Sequence, residues 1–400
     1  MKILSIIASA NPIGGGPIEG VRRLSLCFRQ NRFEHEIVTL DLPDAPFLKE
    51  FDIPVHALGH HVLQSHHWRK KIPFLRYGYT PKLIPWLKEN LKNYDLAIVN
   101  GLWNYASFGA AQVLSRSKTP YLVFSHGMLD PWFRQTYPKK HLFKQLFWLL
   151  GEGRLIHNAQ SLLFTTEDEK ILARGQFWGY DYKEKVVGYG TADVTGDPNA
   201  QIAAFYQAYP HLRHRRFLLY LSRIHPKKGA DLLIPAFAKI AASHPDLDLM
   251  IAGPHFETWT DDILKPLVAE SGLEDRIFWP GMLSGEIKWG AFRAAEAFVL
   301  PSHQENFGIV VAEALACETP VLITDKVNIW HEVKAEGCGL VEADHQNGIN
   351  RLLQAWLTLT PEERLQMKAA CRPCFLRHFN IDTTSQNLVN FAKEIIERRK

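Results

Sequence analysis

The stretch Pro301-Ser302-His303-Gln304-Glu305-Asn306-Phe307-Gly308-Ile309-Val310-Val311-Ala312-Glu313-Ala314 follows the apolar run Ala297 to Leu300 and reads as strand, loop and helix start. Glu305 and Glu313 stand eight positions apart across that junction. Gly308 opens the helix, so the amides of Phe307, Gly308, Ile309 and Val310 fall where backbone donors have no partner within the helix, and Asn306 beside them is a further donor-binding candidate. Free N–H groups and the helix dipole together favour an anion there. Glu313 lies about a turn and a half further on. Carboxylates accept paired sugar hydroxyls, so the pair suits a phosphate ligand with a ribose at one end and a hexose at the other. The competing reading is a capping carboxylate with a helix-surface glutamate.

Outward from this junction, short apolar runs alternate with longer amphipathic ones, the pattern of parallel sheets covered by helices on both faces. The expected class is α/β. Expected strands in the first half are Ile3 to Ala8, His35 to Leu40, Leu96 to Asn100, Tyr121 to Ser125 and Ser161 to Thr165. In the second half they are Phe217 to Leu221, Leu247 to Ala252, Arg276 to Trp279, Ala297 to Leu300 and Pro320 to Thr324, with a helix from Ala230 to Ser243. Gly188 to Asn199 carries glycines, aspartates and Pro198 without apolar periodicity and reads as a linker. Two doubly wound domains are expected, residues 1–190 with 381–400 returning to them, and residues 191–380. Ligands then belong in the loops at the carboxyl ends of the strands.

The 400 residues carry a net charge of +4, too mild for a nucleic-acid footprint. Five cysteines, an odd count in a long chain, do not form a secreted disulfide framework and fit a reducing, cytoplasmic setting. Met1 to Ala10 imitates a short signal peptide, but a buried first strand explains it better. No run is long enough to span a membrane.

After the first strand, Asn11-Pro12-Ile13-Gly14-Gly15-Gly16-Pro17 lets backbone amides approach a phosphate or sugar. The spacing Gly14, Gly16, Gly20, with Asp41 ending the second strand, also imitates a dinucleotide fingerprint, and a nicotinamide-dependent dehydrogenase is the alternative it raises. The glycines begin some five residues past the strand, later than that fingerprint requires.

The spacing E-x-F-G-x-x-x-x-E-A after Pro-Ser resembles the motif of the retaining glycosyltransferases of family 4, which have the GT-B fold. The resemblance runs from Met1 to about Asn390. It implies a metal-independent transfer without cofactor, from a nucleotide-diphosphate sugar to a glycan or lipid-linked acceptor, by same-face displacement. It places a basic pair in Leu221-Ser222-Arg223-Ile224-His225-Pro226-Lys227-Lys228-Gly229, and Arg223 and Lys228 would neutralise the donor diphosphate. It assigns His126, in Phe124-Ser125-His126-Gly127, to the donor sugar, and Met282 to the loop beside the base. Glu318 stands where the family has a helix-ending glycine, which questions local geometry. A non-catalytic nucleotide-sugar binder of the same fold is the remaining alternative.

Other patterns carry less. Cys371-Arg372-Pro373-Cys374 with His378 has redox spacing but ends a helical stretch. His60-His61 and His66-His67 lack a carboxylate or thiol to set a metal geometry and read as a polar loop. Asp246-x-Asp248 precedes a strand and reads as a turn. Lys139 to Leu150 is a basic amphipathic helix. Packing of Leu142, Phe143, Leu146, Phe147, Leu149 and Leu150 on a sheet is the expectation, and contact with an anionic membrane the alternative.

Overall fold

The computed structural model describes residues 1–12, 16–60, 77–254 and 259–398. Gly14, Gly15, His61, His66 and His67, which the sequence singles out, lie outside these. The chain divides into two compact units, Met1–Tyr189 with Thr384–Lys400, and Gly190–Thr383.

The first unit is a parallel sheet of β1 (Lys2–Ile7), β2 (Glu34–Thr39), β3 (Val55–Ala57), β4 (Leu96–Asn100), β5 (Tyr121–Phe124), β6 (Ser161–Phe164) and β7 (Glu184–Val186), in the order β3-β2-β1-β4-β5-β6-β7. Successive side chains point to opposite faces, and both faces are covered, so the inner strands are almost wholly apolar. One face, through Leu4, Ile6, Val99, Val123 and Phe164, joins Leu83, Tyr105, Trp148 and Leu155. The other, through Ile3, Ile98, Leu122, Phe124 and Leu163, joins Leu24 and Phe28 with Leu388, Val389, Ala392, Ile395 and Ile396 of the last helix, Ile381–Glu397. Each such buried aliphatic side chain contributes about 1.5–3 kcal/mol, so the last helix is a structural layer of the first unit.

The second unit is a parallel sheet of β8 (Arg216–Leu221), β9 (Leu247–Ala252), β10 (Ile277–Gly281), β11 (Ala297–Leu300), β12 (Val321–Thr324) and β13 (Gly339–Glu342), ordered β10-β9-β8-β11-β12-β13. β8 runs between β9 and β11, which makes its carboxyl end the point where strand order reverses.

Several expectations change. β3, β7 and β13 are edge strands of three or four residues, largely half-buried, and too short to show an apolar run. The expected linker is shorter, because Asp197 caps a helix that begins at Pro198 by accepting from the amides of Asn199 and Ala200. Asp193, in the same stretch, makes a forked pair with Arg372 at 2.5 Å. Asp248 is not a turn residue. It is buried inside β9, held by Arg215 and by Arg276 Nε at 2.8 Å.

The helix Pro138–Phe147 overturns the expectation that its apolar side packs inward. Gln145 and Trp148 are buried, whereas Leu142 and Phe143 are each 70% exposed and Leu150 is 64% exposed. Gln145 explains the inversion: its side-chain amide donates to the Trp178 carbonyl at 3.0 Å and accepts the Trp178 amide at 3.2 Å.

Glu318 ends the helix Ile309–Ala316 with φ 60°, so the left-handed turn is kept without the glycine that favours it. Its side chain is exposed. Glu318→Gly should therefore stabilise the protein by about 1 kcal/mol, because a Cβ costs roughly 1–2 kcal/mol in that conformation and glycine's added chain entropy takes back part of it. The check is an upward shift of the urea midpoint with an unchanged slope.

Candidate functional site

At the reversal point of the second unit, the loops after β8 and β11 touch. A short turn, Pro226–Lys228, follows β8 and ends at Gly229, whose φ of 69° starts the helix Ala230–Ala241. A Cβ on Gly229 would lie 1.9 Å from the Pro301 carbonyl oxygen, so only glycine allows the two loops this approach. The His303 amide donates to the Lys227 carbonyl at 2.8 Å, and Lys227 Nζ donates to Gln304 Oε1 at 3.2 Å. The result brings buried Lys228 against Glu305 as an ion pair. Glu305 is pinned from its other side, donating its amide to the Lys326 carbonyl at 2.9 Å and accepting the Asn328 amide at 3.1 Å.

Gly308 starts the helix Ile309–Ala316 with φ 77°, and no side chain caps it. Ile309 and Val310 are half-buried at this start, while the Phe307 side chain is buried with its ring edge-on to Phe379, 5.8 Å between centroids. Asn306 is half-buried in the same loop. Glu313 is buried on the helix, and its Oε2 lies 2.7 Å from Lys288 Nζ of the helix Gly285–Ala294. Arg223 is exposed in the loop after β8. The local field is cationic: burial first, then Arg223, Lys227 and Lys228, hold the His225 pKa below its usual value. Met282 follows β10 with its side chain 75% exposed.

His126 belongs to the first unit, at the carboxyl end of β5. Its φ is 47°, its ring stacks on Phe124 at 5.1 Å, and its Nε2 lies 3.2 Å from Asn100 Oδ1 of β4. Burial lowers its pKa to about 4, so the imidazole is neutral near neutral pH. It therefore offers one N–H donor and one acceptor nitrogen, not a cation.

Two family profiles match the chain: Glycosyl transferase 4-like domain over residues 15–190 and Glycosyl transferases group 1 over residues 205–372. The chain belongs to the group 1 glycosyltransferases. D-inositol 3-phosphate glycosyltransferase of Segniliparus rotundus is 25% identical over 224 residues, 52% of this chain and 44% of its own length. Mannosylfructose-phosphate synthase of Agrobacterium fabrum is 36% identical over 114 residues, 27% of this chain and 25% of its own. The chain thus spans less than half the length of these curated relatives. Sucrose-phosphate synthase from Thermosynechococcus elongatus matches with a TM-score of 0.76 at 20% identity, covering 100% of both chains. Anabaena Alr3699/HepE in complex with UDP and glucose matches at 0.75 and 18% identity, over 98% of this chain and 99% of that one. These likenesses show the GT-B fold.

Within this group 1 glycosyltransferase, the features that suggested a dehydrogenase have other uses. Asp41 accepts from Ser9 Oγ and from the Ala10 amide, each at 2.6 Å, which ties down the loop after β1. Gly20 is required because a Cβ there would lie 1.8 Å from the Tyr189 hydroxyl, which donates to the Gly16 carbonyl at 2.6 Å. Cys371 and Cys374 are buried at a helix end; burial raises the Cys371 thiol pKa, and the hydrogen bond with Cys338, then burial, raises that of Cys374. Their neighbours Arg372 and His378 pair with Asp193 and Glu336. Among the described residues no three His, Cys, Asp or Glu side chains gather as a metal site.

Sequence reading missed Lys288 and Glu169. Glu169 is buried after β6 and accepts four hydrogen bonds: Oε1 from Ser125 Oγ at 2.6 Å and the Gly127 amide at 2.7 Å, and Oε2 from the Thr165 amide and hydroxyl, each at 2.7 Å. It thereby fixes the backbone on both sides of His126. Four donors converge on two acceptors, so a side-chain amide cannot replace the carboxylate without facing donor to donor. Glu169→Gln should cost about 1–3 kcal/mol of stability, read from denaturant unfolding, and an unchanged midpoint would refute the clamp.

Proposed function

We propose that this protein transfers a hexosyl group from a nucleoside-diphosphate sugar to a hydroxyl of a glycan or lipid-linked acceptor, with retention at the anomeric carbon. The observation that carries this is the reversal point of the second unit, where Arg223, Lys228, Glu305 and the uncapped start of the Ile309–Ala316 helix share one end of the sheet. The relative HepE, solved with UDP and glucose, supports a nucleotide-sugar donor.

The diphosphate lies at the amides of Gly308 to Val310, with Arg223 and Lys228 as counter-charges. Glu313 takes the ribose hydroxyls and Glu305 the sugar, with the Met282 loop beside the base; Gly15 and Gly16, by their sequence, and His126, by the family resemblance, are further candidate donor contacts. As the anomeric C–O bond breaks, negative charge grows on the departing phosphate, and the fixed cations and helix start stabilise it. The acceptor oxygen bonds to the same face of the sugar, and its proton passes to the departing phosphate oxygen. The charge on that oxygen is met by the protein's own groups, so the transfer needs neither metal nor cofactor. The odd count of five cysteines, all of them buried, supports a cytoplasmic setting, and the first unit serves the acceptor.

The ion pairs sharpen the expected effects. Lys228 is held by Glu305, so Glu305→Gln releases its charge and should leave free nucleoside-diphosphate affinity unchanged or higher while lowering kcat. Glu313→Gln should weaken both the sugar nucleotide and the free diphosphate, about tenfold for one lost charge-assisted bond. Calorimetric titrations beside steady-state rates decide this, and equal losses of diphosphate affinity in both variants would overturn the division. Transfer should also persist in a chelator, and restoration by added manganese or magnesium would contradict the clamp.

A further inference from the structure

Among the described residues no helix is long and apolar enough to cross a membrane, yet one surface of the first unit is built for an apolar contact. On Pro138–Phe147 and the turn Trp148–Glu152, Leu142, Phe143, Leu146, Phe147 and Leu150 are 70%, 70%, 53%, 44% and 64% exposed. They recur at helical spacing and so form a stripe. Trp178, 68% exposed, is bonded to the same helix through Gln145. Residues 131–151 contain Arg134, Lys139, Lys140 and Lys144 and not one acidic residue. Arg134, Lys139 and Lys140 are exposed beside the stripe.

We propose that this face docks the first unit on a lipid bilayer bearing anionic headgroups. An apolar stripe whose own segment carries exposed cations and no exposed carboxylate matches the boundary where acyl chains meet anionic headgroups. A second copy of this chain presents the same cations and would be repelled. The face is also joined to functional loops. Lys144 Nζ lies 4.7 Å over the Trp103 ring, and Trp103 Nε1 donates to the Met128 carbonyl at 3.2 Å. The Leu102 amide meets Met128 Sδ at 3.0 Å, two residues from His126. The docked helix thus rests on the loops that end β4 and β5, which brings the His126 loop near the bilayer. That last step, and with it a lipid-linked acceptor, rests on the transfer reading, whereas the docking does not.

Flotation of the full chain with phosphatidylcholine vesicles, with and without phosphatidylglycerol, tests the docking. The chain should float with anionic vesicles at low salt, and about tenfold less with neutral ones or in high salt. Leu142→Ser/Phe143→Ser/Leu146→Ser should abolish flotation on both, and Lys139→Glu/Lys140→Glu should remove the anionic preference, each with unchanged circular dichroism. Absence of wild-type flotation, or a triple variant that floats like the wild type, overturns the proposal. So does self-association of the wild type that the triple variant loses while neither floats. Nucleoside-diphosphate affinity measured in the same samples should be equal in all three proteins, so failure to dock is told apart from failure of the transfer reading.

Discussion

The approach of Gly229 to the Pro301 carbonyl is the constraint on which the second unit's chemistry depends. Parallel order carries β8 and β11 side by side, but adjacency of strands does not bring their loops into contact. A backbone without a Cβ, held at positive φ, closes that gap and sets Lys228 beside Glu305. The ion pair is a result of the loop contact. A buried ammonium and carboxylate are tolerable together where either alone would be costly. Lys228 and Glu305 are thus paired with each other, and a ligand that inserts between them meets two groups already held in place.

The first unit achieves order at its functional end by a different device. His126 sits in a strained left-handed conformation. Such strain persists only where surroundings over-determine it. Glu169 supplies this from a neighbouring loop, with the stack on Phe124 and the contact to Asn100 fixing the ring. The neutral imidazole that results is a hydrogen-bonding group.

What could be read from the sequence was what is local. The strand, glycine and helix start around Gly308 lie within fourteen residues, and the requirement for free amides and flanking carboxylates is written in that span. The inner strands were legible because both their faces are buried. Lys288 beside Glu313, Glu169 beneath His126 and Arg276 against Asp248 were not, since each partner comes from a distant segment and a lysine, glutamate or arginine gives no sign of what it will meet. The edge strands β3, β7 and β13 were lost because three or four largely half-buried residues leave no period, whereas the longer edge strand β10 was legible. The helix at Leu142 was misread because amphipathicity says that an apolar face exists, not which side of it faces the protein.

The last helix has a consequence for the order in which the molecule can be completed. The face formed by Ile3, Ile98, Leu122, Phe124 and Leu163 is closed by residues of Leu388 to Ile396, so the unit that leaves the ribosome first waits for all of the second to be translated. Until then its sheet carries an uncovered apolar surface, the kind that recruits chaperones or other nascent chains. Pairing of the first unit with the last helix therefore delays completion of the first unit until the second has been translated, and a ribosome that stalls before Leu388 releases the first unit with that face of its sheet uncovered.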